Sequence, residues 1–165
     1  MIIRKTTIHD LEEILSIYSY ARQFMRDSGN PDQWKDDHPA REMVVSDIEA
    51  GLSYVCLLDD EITAVFYFSI ETEPTYGKIA GKWQNGEPYG VVHRIARSQS
   101  AQGAGAYCLD WCLEQCRNLR IDTHRDNSPM RRLLYKQGFA YCGTIWLENG
   151  EERLAYQKVA EVQLQ

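Results

Sequence analysis

The stretch Val91-Val92-His93-Arg94-Ile95-Ala96-Arg97-Ser98-Gln99-Ser100-Ala101-Gln102-Gly103-Ala104-Gly105-Ala106 reads as a strand, a polar turn and the glycine-marked start of a helix. That order aims several free backbone N–H groups, and the positive end of a helix dipole, at one point. Such a point binds anions, above all phosphates and pyrophosphates. Gly103 and Gly105 let the backbone approach a ligand with no Cβ in the way. Glycines in these places also serve an ordinary strand-to-helix turn. The run is neither a Walker loop, which needs Lys followed by Ser or Thr, nor a GxGxxG dinucleotide turn.

A second constellation spans Leu119 to Phe139: strand, polar turn, helix, Gly-Phe, strand. On its helix Met130, Leu133, Leu134 and Gln137 share one face, and Tyr135 falls outside that stripe, toward Ser128 and Arg131. A helical Tyr usually fills a core, but a phenol off the apolar face stays protonated at neutral pH and can donate to a leaving group. Asn127 suits the turn before Ser128, or a hydrogen bond to a ligand. His93 is a candidate base, because imidazole titrates near neutrality. Glu71 and Glu73, past the end of a strand, are its rivals, and an ordered water chain can replace all three. The plainer reading is a packed His and two solvated carboxylates. Trp34, in the loop Asn30-Pro31-Asp32-Gln33-Trp34, either walls an acceptor pocket with Tyr76 and Trp83 or covers a small satellite core.

Composition bounds the partners. The chain has 165 residues, 44% of them hydrophobic, and a net charge of −6. That suits one globular domain, residues 1–165, with a proper core. An acidic chain has no general attraction to nucleic acid or anionic membranes, and it favours cationic small molecules such as amines. No apolar run reaches membrane-spanning length, and Met1-Ile2-Ile3-Arg4-Lys5 puts charge where a signal peptide needs apolar residues. The five cysteines are odd in number, which fits a reducing cytoplasm. Cys108, Cys112 and Cys116 recur every four residues with Leu109 and Leu113, so they read as core packing, and no metal is expected.

The elements that must position these residues follow from periodicity and punctuation. Strands are expected at Ile2-Ile3, Tyr54 to Leu58, Ile62 to Ile70, 90–97, 119–122, Phe139 to Leu147 and Glu152 to Val159. Helices are expected from His9 to Asp27 with Thr7 as N-cap, from Pro39 to Gly51, over 103–117, and from a Ser128-Pro129 cap to Gly138. Thr75 to Tyr89 reads as a loop. Asn149-Gly150 marks a hairpin. The interleaved order gives a single α/β domain.

Together the two constellations resemble the GNAT acyltransferase superfamily, over about residues 90–145. Gln102 and Gly105 match the opening of Q/R-x-x-G-x-G/A, and Asn127, Tyr135 and Gly138-Phe139 match its Asn…Tyr…Gly-Phe region. Ile3-Arg4-Lys5-Thr6 with Asp10-Leu11 is similar to the superfamily's N-terminus. The resemblance implies a central mixed, mostly antiparallel sheet with helices on both faces, and an acetyl-CoA-dependent N-acetyltransferase acting by direct attack of an amine. It implies acetyl-CoA against Ile95, Ala96, Arg97, Gln102, Gly103, Ala104, Gly105, Ala106, Tyr107 and Asn127, with Lys136 a candidate for a CoA phosphate. A backbone N–H near Ile95 or Ala96 would serve the oxyanion, Tyr135 the departing sulfur, and His93, Glu71 or water the amine proton. The chain departs from the pattern at Tyr107, where Gly or Ala is usual, at Gln102 for Arg, at Ala104, often basic, and at Arg97, often small and apolar. Fewer cations imply weaker or more backbone-dependent CoA binding, and leave open a sensor that binds CoA or a nucleotide without catalysis. The acceptor is expected to be a small-molecule amine or a peptide amine, and a homodimer is the general default.

Overall fold

The computed structural model describes residues 1–162. Its elements in chain order are β1 (Ile2–Lys5), α1 (Leu11–Asp27), α2 (Arg41–Glu49), β2 (Ser53–Leu58), β3 (Glu61–Ile70), β4 (Ala80–Gly81), β5 (Gly90–Arg97), α3 (Ala104–Cys116), β6 (Asn118–Thr123), α4 (Ser128–Lys136), β7 (Ala140–Trp146) and β8 (Glu152–Val159). The strands form one sheet in the order β1-β2-β3-β5-β6-β8-β7-β4. Among the described residues β5–β6 is the one parallel pair. The expected α/β architecture, mixed and mostly antiparallel, is therefore the observed one. Residues 163–165 of the expected 1–165 domain lie outside the described residues.

Period-2 alternation in the buried strands builds two cores. Val55, Val65 and Ala96 face α1 and α2, where Ile14, Ile17, Tyr18 and Val44 close over them. Cys56, Ala64, Phe66, Phe68 and Val92 face the opposite way, against Cys108, Leu109 and Cys112 of α3 and Leu134 of α4. Cys108 and Cys112 thus pack as expected, and burial pushes the Cys112 thiol well above its ordinary range.

Some boundaries differ from the sequence expectation. Helix α2 begins at Arg41, not near Pro39, because Ala40 is extended and serves as N-cap. Asn127, not Ser128-Pro129, caps α4: its side chain accepts the Met130 N–H at 3.2 Å. The loop at 75–89 contains the short edge strand β4, admitted by Gly81 and Gly143, where a Cβ would meet backbone at 2.1 and 2.2 Å.

The functional consequence lies in β5. It pairs with β6 only at Gly90–Leu119 and Val91–Arg120. On its other side the register with β3 shifts between Val65 and Tyr67, and Arg94 sits in the left-handed region at φ +50°. One extra residue there makes a bulge, which bends and twists a strand. Beyond Val91, β5 and β6 part, and a cleft opens between them.

Candidate active site

The cleft has two connected chambers. The upper, about 320 Å³, is walled by β5, the end of β6, the 32–38 loop and the β7–β8 hairpin. The lower, about 250 Å³, lies between α1, the end of β5 and the starts of α3 and α4. Met25, Ile95, Asn127 and Met130 line both and make them one groove.

Two helices clamp the bulge. The Tyr18 hydroxyl of α1 donates to the Arg94 carbonyl at 3.0 Å. The Arg94 guanidinium grips Asp47 of α2 with two bonds of 2.9 Å and stacks over the Tyr67 ring. A non-glycine residue held left-handed stores about 1–2 kcal/mol, and this fork keeps it there. With only 16% and 12% of the two side chains exposed, the pair is mostly desolvated. Asp47→Ala is expected to cost about 2–3 kcal/mol, less than the ~3–5 of a fully buried pair. Melting should fall by roughly 5–10 °C. A Tm within 2 °C of the parent would remove the clamp.

At the lower end the chain behaves as the glycine reading requires. Gly103 is the left-handed N-cap of α3, at φ +83°. Ala104 N–H bonds Ala101 at 3.3 Å and Tyr107 N–H bonds Gly103 at 3.1 Å. The N–H groups of Gly105 and Ala106, in the first turn, have no intrahelical acceptor. A Cβ on Gly105 would stand 3.0 Å from Leu133 of α4, so this position admits glycine for packing as well as for ligand approach. Arg97 lines this chamber beside Phe24, 6.0 Å from the ring centroid. Gln102 is exposed. Tyr107 corrects an expectation, since its N–H is spent and its phenol leaves the turn, donating to the Met1 carbonyl at 2.6 Å. It neither blocks the corner nor offers it a donor.

Where the chambers meet, Asn127 does two jobs. It caps α4 and donates to Gln33 Oε1 at 2.9 Å. Gln33 Oε1 also accepts from Asn30 at 2.9 Å. This join between a loop and a helix 94 residues apart in sequence carries no local signal, and sequence reasoning missed Gln33.

Titratable groups gather at the upper chamber and behind its β5 wall. His93 lines it, between the rings of Tyr67 and Tyr76 at 5.5 and 6.5 Å. His93 Nε2 lies 3.7 Å from Glu73. Glu71 accepts the Tyr67 hydroxyl at 3.0 Å. One donor atom from each of Glu71, Glu73 and His93 falls within 4.8 Å of the others, a set that can take up a proton or hold a divalent cation. Asp122, which sequence reasoning passed over, reaches the chamber from β6 and accepts the Tyr76 hydroxyl at 2.7 Å. Burial, then the Asp122 carboxylate, pushes the Tyr76 phenol far up, so it remains a donor. His38 stands across from them, and burial, then Arg94, Arg22 and Arg153, hold it below the ordinary imidazole range.

Trp34 lines the chamber, edge-on to Tyr18 and His38. Tyr76 and Trp83 do not. They form a satellite core with Val91, Ile145 and Ala155, and Arg120 is sandwiched between Trp83 and Tyr89 at 4.2 and 3.9 Å. Their aromatic mass serves packing behind the wall, where Tyr76 backs His93 with its ring and Asp122 with its hydroxyl.

Tyr135 and Lys136 require the largest correction. Tyr135 is 83% exposed and shares a separate concavity with Ser128, Arg131, Lys136 and Tyr141. Off the apolar stripe meant toward solvent, because the cleft meets α4 at Asn127, Met130 and Leu133 instead. Tyr135→Phe is therefore expected to leave turnover within twofold of the parent. A tenfold loss would return the phenol to the chemistry.

No family model matches the sequence, and no curated protein matches it. Solved structures do. A GNAT-family acetyltransferase from Streptococcus agalactiae is 31% identical over 98% of this chain and 96% of its own, with a TM-score of 0.88. GNAT-family acetyltransferases from Listeria monocytogenes and Bacillus cereus share the fold at 17% and 16% identity, with TM-scores of 0.68 and 0.66. They cover 96% and 98% of this chain, and 94% and 98% of their own.

Proposed function

This chain belongs to the GNAT family of acetyltransferases, and from that premise we propose that it moves the acetyl group of acetyl-CoA to a primary amine. The observation that carries the proposal is the β5–β6 parting, which runs into a corner where the amides of Gly103, Gly105 and Ala106 are unspent. A pantetheine arm can lie along β5 as an added strand would, hydrogen-bonding backbone that β6 has left free. The N–H groups of Gly103, Gly105 and Ala106 and the α3 dipole hold the pyrophosphate. With Arg97 near and no Lys or Arg at 102–107, backbone supplies most of this grip.

The thioester supplies an acetyl carbon and a thiol-type leaving group. His93, with Glu73 and Glu71 beside it, takes the first proton from the acceptor ammonium. The neutral nitrogen then bonds the acetyl carbon while a backbone N–H of Ile95 or Ala96 faces the developing oxyanion. The C–S bond breaks, and the second nitrogen proton goes to the thiolate, so an ammonium and a thioester become an amide, a thiol and one proton. This route needs nothing from Tyr135. Trp34 walls the acceptor side.

The test is thiol release from acetyl-CoA across a panel of amines, beside calorimetric titration with CoA. Release with at least one amine and CoA binding are expected. CoA binding without release from any amine would overturn catalysis, and failure of both would overturn the site.

A further inference from the structure

On the basis of the acetyl-transfer reading above, we infer that the acceptor is a free amino acid, its amine held by Asp122 and its carboxylate by Arg153. Sheet register brings the two side chains together. Asp122 of β6 lies opposite Ala155 of β8, and Arg153 is two residues from Ala155. Residues two apart on a strand share a face. Asp122 and Arg153 are thus diagonal cross-strand neighbours, about 7–8 Å apart, and both line the upper chamber.

Opposite charges so placed would normally pair. Here each is turned to its own partner. Asp122 takes the Tyr76 hydroxyl at 2.7 Å. Arg153, only 5% exposed, donates Nη1 to the Glu152 carbonyl at 2.8 Å. Its Nη2 makes longer contacts of 3.3 Å to Glu151 and 3.5 Å to the Gln33 carbonyl. Its Nε–H has no acceptor among the described residues. Lys35 approaches the same Glu151 at 2.7 Å and adds a second cation to this pole. Arg153 has one long ion pair, 3.3 Å to Glu151, which Lys35 shares, and its Nε–H remains free to donate, while Asp122 faces no cation among the described residues. A zwitterion between them satisfies both, and a guanidinium fork suits a carboxylate.

The polarity also fits the chemistry. Asp122 is joined through Tyr76 to His93, which lines the chamber on the β5 side with Glu73 beside it, where the thioester is proposed. An amine at Asp122 is therefore presented to the base and the acetyl carbon, and the Arg153 pole lies away from them. Trp34, Ile121 and Leu147 leave room between the poles for an apolar side chain. A diamine would set its second ammonium against Arg153, and a peptide N-terminus has no carboxylate at this distance.

The experiment follows thiol release by the whole protein with three sets of acceptors: alanine, leucine and phenylalanine, their amides, and the amines left on removing the carboxylate. At least one amino acid should exceed both its amide and its amine more than tenfold in kcat/KM. Arg153→Gln should bring that ratio close to one. The ratio compares acceptors on one protein sample, so it stays readable if this variant is less stable. Amides or simple amines that react as well as every amino acid would overturn the inference and leave acetyl transfer standing. No release from any acceptor would overturn both.

Discussion

Ala106→Glu is expected to weaken CoA binding at least about 100-fold while leaving the fold as stable as before or more so. The two effects have opposite signs because they act on the same helix terminus. Ala106 is the third residue of α3 and lines the lower chamber. An acidic side chain in the first turn complements the dipole and typically adds about 0.3–1 kcal/mol. The same charge stands where the pyrophosphate is proposed to sit. Two like charges 4 Å apart repel by about 4 kcal/mol at an effective dielectric near 20. Solvent in the open groove reduces this, and roughly 3 kcal/mol is about 100-fold in affinity. Ala106→Gln, similar in size and uncharged, should lose less than tenfold. Calorimetric titration with CoA and thermal melting of both variants decide the matter. Affinity of the Glu variant within threefold of the parent would mean that the anion binds elsewhere.

A His93→Gln enzyme should lose about 100–1000-fold in kcat/KM at neutral pH, within the usual range for a positioned general base. Glutamine keeps much of the packing between Tyr67 and Tyr76 but cannot take a proton. The loss should shrink as pH rises, because solvent then delivers the acceptor already neutral. A purely structural His would give a deficit that does not change with pH. A pH–rate profile from 6 to 10 separates the two, and a variant within threefold of the parent throughout would leave proton removal to Glu71, Glu73 or water.

Much of the fold is legible in the chain because the signals are local. The apolar spacing of Leu11, Ile14 and Tyr18, the glycines at 103 and 138, and Asn149-Gly150 each fix a nearby element. The anion corner is legible for the same reason, since Gly103, Gly105 and the first turn of α3 are neighbours in sequence. Helix phase was legible only in part. The stripe of Met130, Leu133 and Leu134 told which face of α4 is buried, but not whether the remaining directions met the cleft or water. The direction of Tyr135 meets water, because the cleft takes Asn127, Met130 and Leu133.

The sequence by itself determined the sheet-and-helix order, the turn that presents backbone N–H groups to an anion, and the type of residue available for proton transfer. These depend on propensities and on neighbours within a few positions. Tertiary structure alone decided which of those residues meet. It left Tyr76 and Trp83 in a satellite core, joined Gln33 to Asn127, clamped Arg94 with Asp47, and set Asp122 and Arg153 on one face of adjoining strands. Each of these brings distant segments side by side. The neighbour is chosen by strand register, as for Asp122 and Arg153, or by how helices and loops dock on the sheet, and neither is written at the position of the residue itself.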